Sequence, residues 1–235
     1  MSELSRIKIS TPEYDEILPS TKEAIKIRPF RVADEKTLLI ASESKDTKQM
    51  ANAMKKIVDN CVLNDIDVNK LATHDFEYLF IKIRAKSVGE VSKLKLACQH
   101  CQTDNTVDFD LETVKIREEE GFSNILKIND TLAFQMKNIG LDDVLNIGPD
   151  SKTSEMFSLI GDAVDVIVHE DETFTVGKAE KKDCMDIIES LPSKDFVKFI
   201  DYFGSLPHVY GDVEFTCSSC AKENKQELRG IQNFF

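Results

Sequence analysis

Two Cys-x-x-Cys pairs set far apart in the chain constrain its folding more than any other feature. One reads Leu96-Ala97-Cys98-Gln99-His100-Cys101-Gln102 and the other Phe215-Thr216-Cys217-Ser218-Ser219-Cys220-Ala221. Alternating runs over 91–97 and 209–216 precede them and predict strands. Polar residues follow each pair, then a second strand candidate, 106–111 in the first case and 226–228 in the second. This is the outline of a zinc knuckle, a tight turn between two strands that points two thiolates the same way. Zinc takes four soft ligands in a tetrahedron, so one knuckle supplies half a site and two supply all of it. Cys98, Cys101, Cys217 and Cys220 are therefore read as one structural four-cysteine zinc site that closes the two ends of a large insertion. Its four thiolates leave no position for a reacting water.

Other fates of these cysteines stay open at this stage. Redox dithiols normally sit at a helix start, where the dipole lowers the thiol pKa; hairpin strands flank both pairs here. Two disulfides or four unliganded thiols are the remaining choices. His100 lies inside the first knuckle and is expected to be an exposed turn residue, not a fifth ligand.

A chain of 235 residues can form one large domain or two small ones. Its composition, 41% hydrophobic and 31% charged, is that of a globular protein with a real core. No run approaches the roughly 18 apolar residues that span a bilayer, and Met1-Ser2-Glu3-Leu4-Ser5-Arg6 lacks the apolar stretch of a secretory signal. Six cysteines without export indicate a reducing compartment, which favours metal over disulfides. The net charge of −12 opposes a phosphate-backbone partner, so nucleic acid is not expected to bind.

The expected fold class is α+β, with short antiparallel hairpins, a zinc-ribbon-like clamp of four cysteines and mainly helical flanking and inserted segments. Residues 1–12 form a polar arm, 13–111 an N-terminal part with the first knuckle, 112–208 a mixed, mainly helical insertion, and 209–235 the second knuckle and tail. Short strands are expected at 13–18 and 24–30, with Ile25 and Ile27 facing one side and Lys26 and Arg28 the other. Three helices follow. The first has Asp34-Glu35 in its opening turn and Leu38, Leu39 and Ile40 as apolar positions; Asp46-Thr47 caps the second, with Met50, Met54, Ile57, Val58 and Cys61 at helical spacing. The third opens at Thr73-His74-Asp75 with Phe76, Leu79, Phe80 and Ile83 as its stripe, His74 being a cap or surface residue, and Gly89 follows it.

In the insertion, 115–120 is a solvated charge run, and 125–128 with 132–136 make a hairpin around Asn129-Asp130-Thr131. A short helix over 141–147 is expected to stop at Gly148-Pro149. An apolar helix over 156–168, capped by Thr153 or Ser154, is expected to bury Phe157, Ile160, Val164 and Ile167. Helices over 181–190 and 194–203 close the insertion, the second with a stripe of Phe196, Val197, Phe199, Ile200 and Phe203. Cys61 and Cys184 read as packing residues.

No catalytic constellation emerges. There is no glycine-rich phosphate loop, no Gly-x-Ser-x-Gly and no His-Glu-x-x-His, and the histidines are scattered. An enzyme is not expected.

Several stretches carry a family resemblance. They are Ile27-Arg28-Pro29-Phe30-Arg31-Val32, Leu38-Leu39-Ile40-Ala41-Ser42-Glu43, Ile57-Val58-Asp59-Asn60-Cys61-Val62, and Phe76-Glu77-Tyr78-Leu79-Phe80 leading to Arg84-Ala85-Lys86-Ser87-Val88-Gly89-Glu90. With the two knuckles and the ending Leu228-Arg229-Gly230-Ile231-Gln232-Asn233-Phe234-Phe235, the chain resembles the baseplate hub assembly proteins of T4-like tailed bacteriophages. The resemblance is densest over 24–111 and 209–235. It implies a viral protein in the host cytoplasm that helps build the tail baseplate by contact with other baseplate and hub proteins. It carries over no enzymatic activity, and with the composition it implies no nucleic-acid, membrane or small-molecule partner. Two other roles stay open: a permanent baseplate subunit of the virion, and a zinc-ribbon regulator of transcription machinery.

Overall fold

The computed structural model describes residues 9–44, 46–141, 143 and 153–234. Residues 1–8 of the expected arm, most of the helix expected over 141–147, its stop at Gly148-Pro149 and the side chains of Thr153 and Ser154 lie outside the described residues, as do Lys45 and Phe235. Six α-helices and eleven strands are present among the described residues, an α+β arrangement of short antiparallel sheets. The chain divides into two compact units. One comprises the described parts of Met1–Val68, His74–Lys115 and Val209–Phe235, the other Asn69–Thr73 and Ile116–His208.

In the first unit, β1 (Tyr14–Ile17) and β2 (Ala24–Ile27) form an antiparallel hairpin with Tyr14 opposite Ile27. Ile25 and Ile27 are buried and Lys26 is exposed, as alternation requires. Arg28 departs from the expected pattern. It is buried with Asp34, and its Nη1 donates to Asp34 Oδ2 at 2.9 Å. The chain has left the strand by then, so alternation no longer dictates where Arg28 points.

Asp34 lies in α1 (Val32–Ser44), whose Leu39 and Ile40 are each 58% exposed. Three consecutive apolar residues cannot share one helix face. Asp46 caps α2 (Thr47–Cys61) by accepting from the backbone N–H groups of Lys48 and Gln49 at 2.8 and 3.2 Å. Ile57, Val58 and Cys61 are fully buried, while Met50 and Met54 are half-buried. In α3 (Thr73–Val88) the whole expected stripe, Phe76, Leu79, Phe80 and Ile83, is buried. His74 is not a surface residue: its side chain is half-buried beside Asp75, with Nε2 3.7 Å from Oδ1.

Two longer hairpins complete this unit. β3 (Val91–Ala97) pairs with β4 (Asp104–Asp110), Val91 opposite Asp110 and Ala97 opposite Asp104. β10 (His208–Thr216) pairs with β11 (Glu223–Arg229), Tyr210 opposite Arg229 and Thr216 opposite Glu223. Both return strands run longer than their apolar residues alone indicate.

The charge run opens with β5 (Lys115–Arg117) and continues through exposed Glu118, Glu119 and Glu120. The second unit holds a four-stranded antiparallel sheet in the order β6-β7-β8-β9, from Ile125–Lys127, Leu132–Met136, Val164–His169 and Glu172–Thr175. Asn129 Oδ1 shapes the β6–β7 turn by accepting from the N–H groups of Thr131 and Leu132 at 2.9 and 2.8 Å.

The helix expected over 156–168 is corrected here. α4 (Thr153–Ala163) ends at Ala163, and the chain continues at once as β8. Val164, Val166, Ile167 and Val168 are β-branched and suit a pleated surface flanked on both sides, here by β7 and β9. Helices α5 (Lys181–Glu189) and α6 (Ser193–Gly204) complete the unit. Its core gathers Phe134, Met136, Ile160, Cys184, Ile188 and Phe199, with the Phe134 and Phe199 rings 5.2 Å apart. On α6 the expected stripe is narrower than the sequence suggests. Phe199 and Tyr202 are buried, whereas Val197 and Ile200 are about half exposed. No described helix is long and apolar enough to cross a membrane.

Candidate metal centre

The two Cys-x-x-Cys turns have the same local construction. In the first, Cys98 N donates to Thr103 O at 2.9 Å and Gln102 N to Cys98 O at 2.9 Å. In the second, Cys217 N donates to Lys222 O at 2.9 Å and Ala221 N to Cys217 O at 3.0 Å. Gln102 and Ala221, each just past the second cysteine, adopt the left-handed conformation with φ of 60° and 54°. That reversal returns the chain to the second strand. Within each turn a backbone N–H also faces the first cysteine: His100 N lies 3.4 Å from Cys98 Sγ, and Ser219 N 3.4 Å from Cys217 Sγ.

The four sulfurs converge. Cys98 Sγ is 3.7 Å from Cys220 Sγ, Cys101 Sγ is 3.6 Å from Cys217 Sγ, and all four lie within 4.8 Å of one another. A zinc ion with Zn–S bonds of about 2.3 Å would set tetrahedral sulfurs about 3.8 Å apart. The cross-hairpin pairs meet that spacing and lie well beyond the roughly 2.0 Å of a disulfide; no disulfide joins any of the six cysteines. Neither pair stands at a helix start. Four cysteines so placed can hold a metal ion.

Cys98 and Cys217 are fully buried, Cys220 is half-buried and Cys101 is exposed, so the site is covered from beneath and approachable from one side. The N–H groups of Cys220 and Ser219 push the Cys217 thiol down to about 6 against the opposing effect of burial. At Cys220 the Lys222 N–H favours the thiolate, but burial and the sulfurs of Cys101, Cys217 and Cys98 outweigh it and raise the pKa to about 11. Crowded sulfurs resist becoming thiolates together. A dication among them removes that conflict.

The remaining sulfur and imidazole candidates fall elsewhere. His100 is exposed, with Nε2 3.3 Å from Glu223 O, and is not one of the clustered groups. Cys61 is buried with Sγ 3.9 Å from Asp34 Oδ2, and burial pushes its thiol up to about 12. Cys184 packs in the core of the second unit.

Two residues of the site have no counterpart among the sequence-derived candidates. Asn105 Oδ1 accepts from Ser218 N at 2.8 Å, and Asn224 Oδ1 accepts from Gln99 N at 2.8 Å. Each asparagine thus reaches from its own hairpin into the turn of the other. The signal was present in the chain, because each is the fourth residue after the second cysteine of its pair and follows an acidic residue, Asp104 or Glu223.

Comparison with known proteins supplies the wider setting. A family model described as T4 bacteriophage base plate protein matches residues 11–235, a span that takes in both knuckles and the segment between them. No curated protein and no solved structure matches the chain.

Proposed function

The chain belongs to the T4 bacteriophage base plate protein family, and from that membership we propose that it is a non-enzymatic assembly protein of the baseplate hub, folded around a structural zinc ion. The convergence of four cysteine sulfurs carries the zinc reading. Cys98, Cys101, Cys217 and Cys220 would hold the ion, each as a thiolate. When bound, zinc supplies a four-bonded cross-link between hairpins that are distant in sequence, and its binding energy becomes folding energy. Four thiolates fill the tetrahedron, so the site serves stability and not hydrolysis.

Function then rests on surfaces. The partners are other baseplate and hub proteins, met in the host cytoplasm during assembly. The net charge of −12 opposes binding to nucleic acid, and this weighs against the alternative of a zinc-ribbon regulator of transcription machinery. Neither a membrane nor a small-molecule substrate enters this reading. The family description favours a second role as well, since a base plate protein can equally be a permanent subunit of the virion.

Two measurements test these readings. Elemental analysis of protein prepared without chelator is expected to give one zinc per chain, and its absence would sink the structural-zinc reading. Serine at Cys98, Cys101, Cys217 or Cys220 should destabilise the fold, whereas serine at Cys61 or Cys184 should leave zinc content unchanged. Mass spectrometry of mature particles and of baseplate intermediates separates the two roles. An assembly factor appears only in the intermediates, and a retained subunit appears in both. Failure to capture any hub protein from infected cells, alongside capture of polymerase, would overturn both in favour of the transcription reading.

A further inference from the structure

We propose that Asn105 and Asn224 are reciprocal positioning residues of the metal centre, each holding the cysteine turn of the opposite hairpin in its ligating shape. This inference rests on the zinc reading above and extends it to residues that touch no metal.

The two asparagines occupy matching places. Asn105 lies on β4 and is 7% exposed; Asn224 lies on β11 and is 3% exposed. Each side-chain amide is used at both ends. The oxygen of Asn105 accepts from Ser218 N at 2.8 Å and from Ser218 Oγ at 3.0 Å, while its Nδ2 donates to Thr103 O at 2.8 Å. The oxygen of Asn224 accepts from Gln99 N at 2.8 Å, while its Nδ2 donates to Lys222 O at 3.0 Å. The accepting end therefore grips the opposite turn, and the donating end grips the carbonyl that closes its own. Asn105 Nδ2 also lies 3.7 Å from Cys217 Sγ, within reach of a first cysteine across the site.

The chemistry of the turn explains the residue type. Within each turn the N–H two residues past the first cysteine already points at sulfur. The N–H immediately after that cysteine, on Gln99 or Ser218, finds its acceptor on the other hairpin. Aspartate could accept there but could not donate to the closing carbonyl, and it would set a negative charge beside four sulfurs. Serine is too short to span both groups. An amide of asparagine length satisfies both. Each turn is thus shaped by the hairpin that supplies the other two ligands, and the cross-hairpin sulfurs stand 3.6–3.7 Å apart. Groups that orient metal ligands in this way typically contribute 10–100-fold in metal affinity.

The test compares zinc release to a chromogenic chelator, together with the cobalt-substituted absorption spectrum, in the full chain and in Asn105→Ala, Asn224→Ala, Asn105→Asp and Asn224→Asp. The control is Gln226→Ala, which removes a different bond between the hairpins, from Nε2 to Ala97 O at 2.8 Å. The expected result is wild-type protein with one zinc, asparagine variants with about 10–100-fold weaker zinc retention and altered cobalt ligand-field bands, and a control that matches wild type. The aspartate variants, nearly isosteric, give the reading if the alanine variants fail to fold. Asparagine variants with unchanged release and an unchanged cobalt spectrum would overturn the proposal and leave the zinc reading standing. An equal loss in Gln226→Ala would also overturn it, because any weakening of the hairpin pairing would then suffice. Wild-type protein without zinc would remove the zinc reading and this proposal together.

Discussion

The ring of Phe234 lies 5.5 Å from the ring of Phe109, and the two are tilted by 37°. Phe234 is wholly buried, although it is the penultimate residue of the chain. Gly230, in the left-handed region at φ 77°, turns the chain after β11 so that Ile231–Phe234 forms a short 3-10 turn back on the hairpins. Ser92 Oγ then donates to Phe234 O at 2.8 Å, and Ile231 N donates to Glu77 Oε1 at 3.2 Å. The tail is a packed element of its own unit, with Phe234 in the role of anchor.

Phe234→Ala is therefore expected to destabilise the isolated protein by about 3–5 kcal/mol, the range for emptying a buried phenylalanine site. Urea unfolding measures it directly. An unchanged midpoint would mean that the tail contributes nothing to the fold.

Gly211 on β10 is a point of close approach. A Cβ added there would stand 2.5 Å from Phe109 Cζ and 3.1 Å from Phe234 Cε1. Both rings sit in a closed core, so Gly211→Ala should cost about 1–3 kcal/mol by overpacking. A thermal melt equal to wild type would show that the rings can yield.

Glu77 provides a pH signature. Burial pushes its carboxyl up to about 7, against the Ile231 N–H and the charge of Arg229. The folded state thus holds the proton more tightly than the unfolded state, whose value is near 4.5. The stabilising effect is complete below that value and is lost as pH rises through about 7, up to about 3 kcal/mol in all. In Glu77→Gln this decline should disappear, so the variant gains on wild type between pH 5 and pH 8. Parallel pH profiles in denaturant titrations would contradict the assignment.

The buried Arg28–Asp34 pair makes a different prediction. Asp34 also accepts from Arg31 N at 2.9 Å and Asn60 Nδ2 at 3.1 Å. Burial alone would raise its carboxyl pKa, but these donors and the Arg28 guanidinium hold it below the usual value. Asp34→Ala strands a buried guanidinium and should cost about 3–5 kcal/mol. The double variant Arg28→Met with Asp34→Leu should recover much of that loss. A double variant as unstable as the single one would show that shape at this site matters more than charge.

Much of this was legible in the residues, for a physical reason. The knuckle strands, the Asp46 cap and the stripe of α3 depend on interactions within a few residues, which leave alternation, caps and helical spacing in the chain. The convergence of the four cysteines was legible because two strand-flanked Cys-x-x-Cys turns are a pattern that can supply four thiolates to one tetrahedral site. The errors fall where packing against other elements decides. Residues 164–168 are apolar enough for either helix or strand, and the two flanking strands β7 and β9 made them a strand. Arg28 reads as a surface residue until Asp34 is folded against it, and the charges survive burial only as a pair. Val197 and Ile200 belong to an apolar stretch, but the core of the second unit takes only the α6 face that carries Phe199 and Tyr202. Asn105 and Asn224 look like ordinary polar strand residues, because each one's acceptor bond goes to a backbone N–H more than a hundred residues away. Local periodicity records which face a residue can present; only the packed chain decides what meets it there.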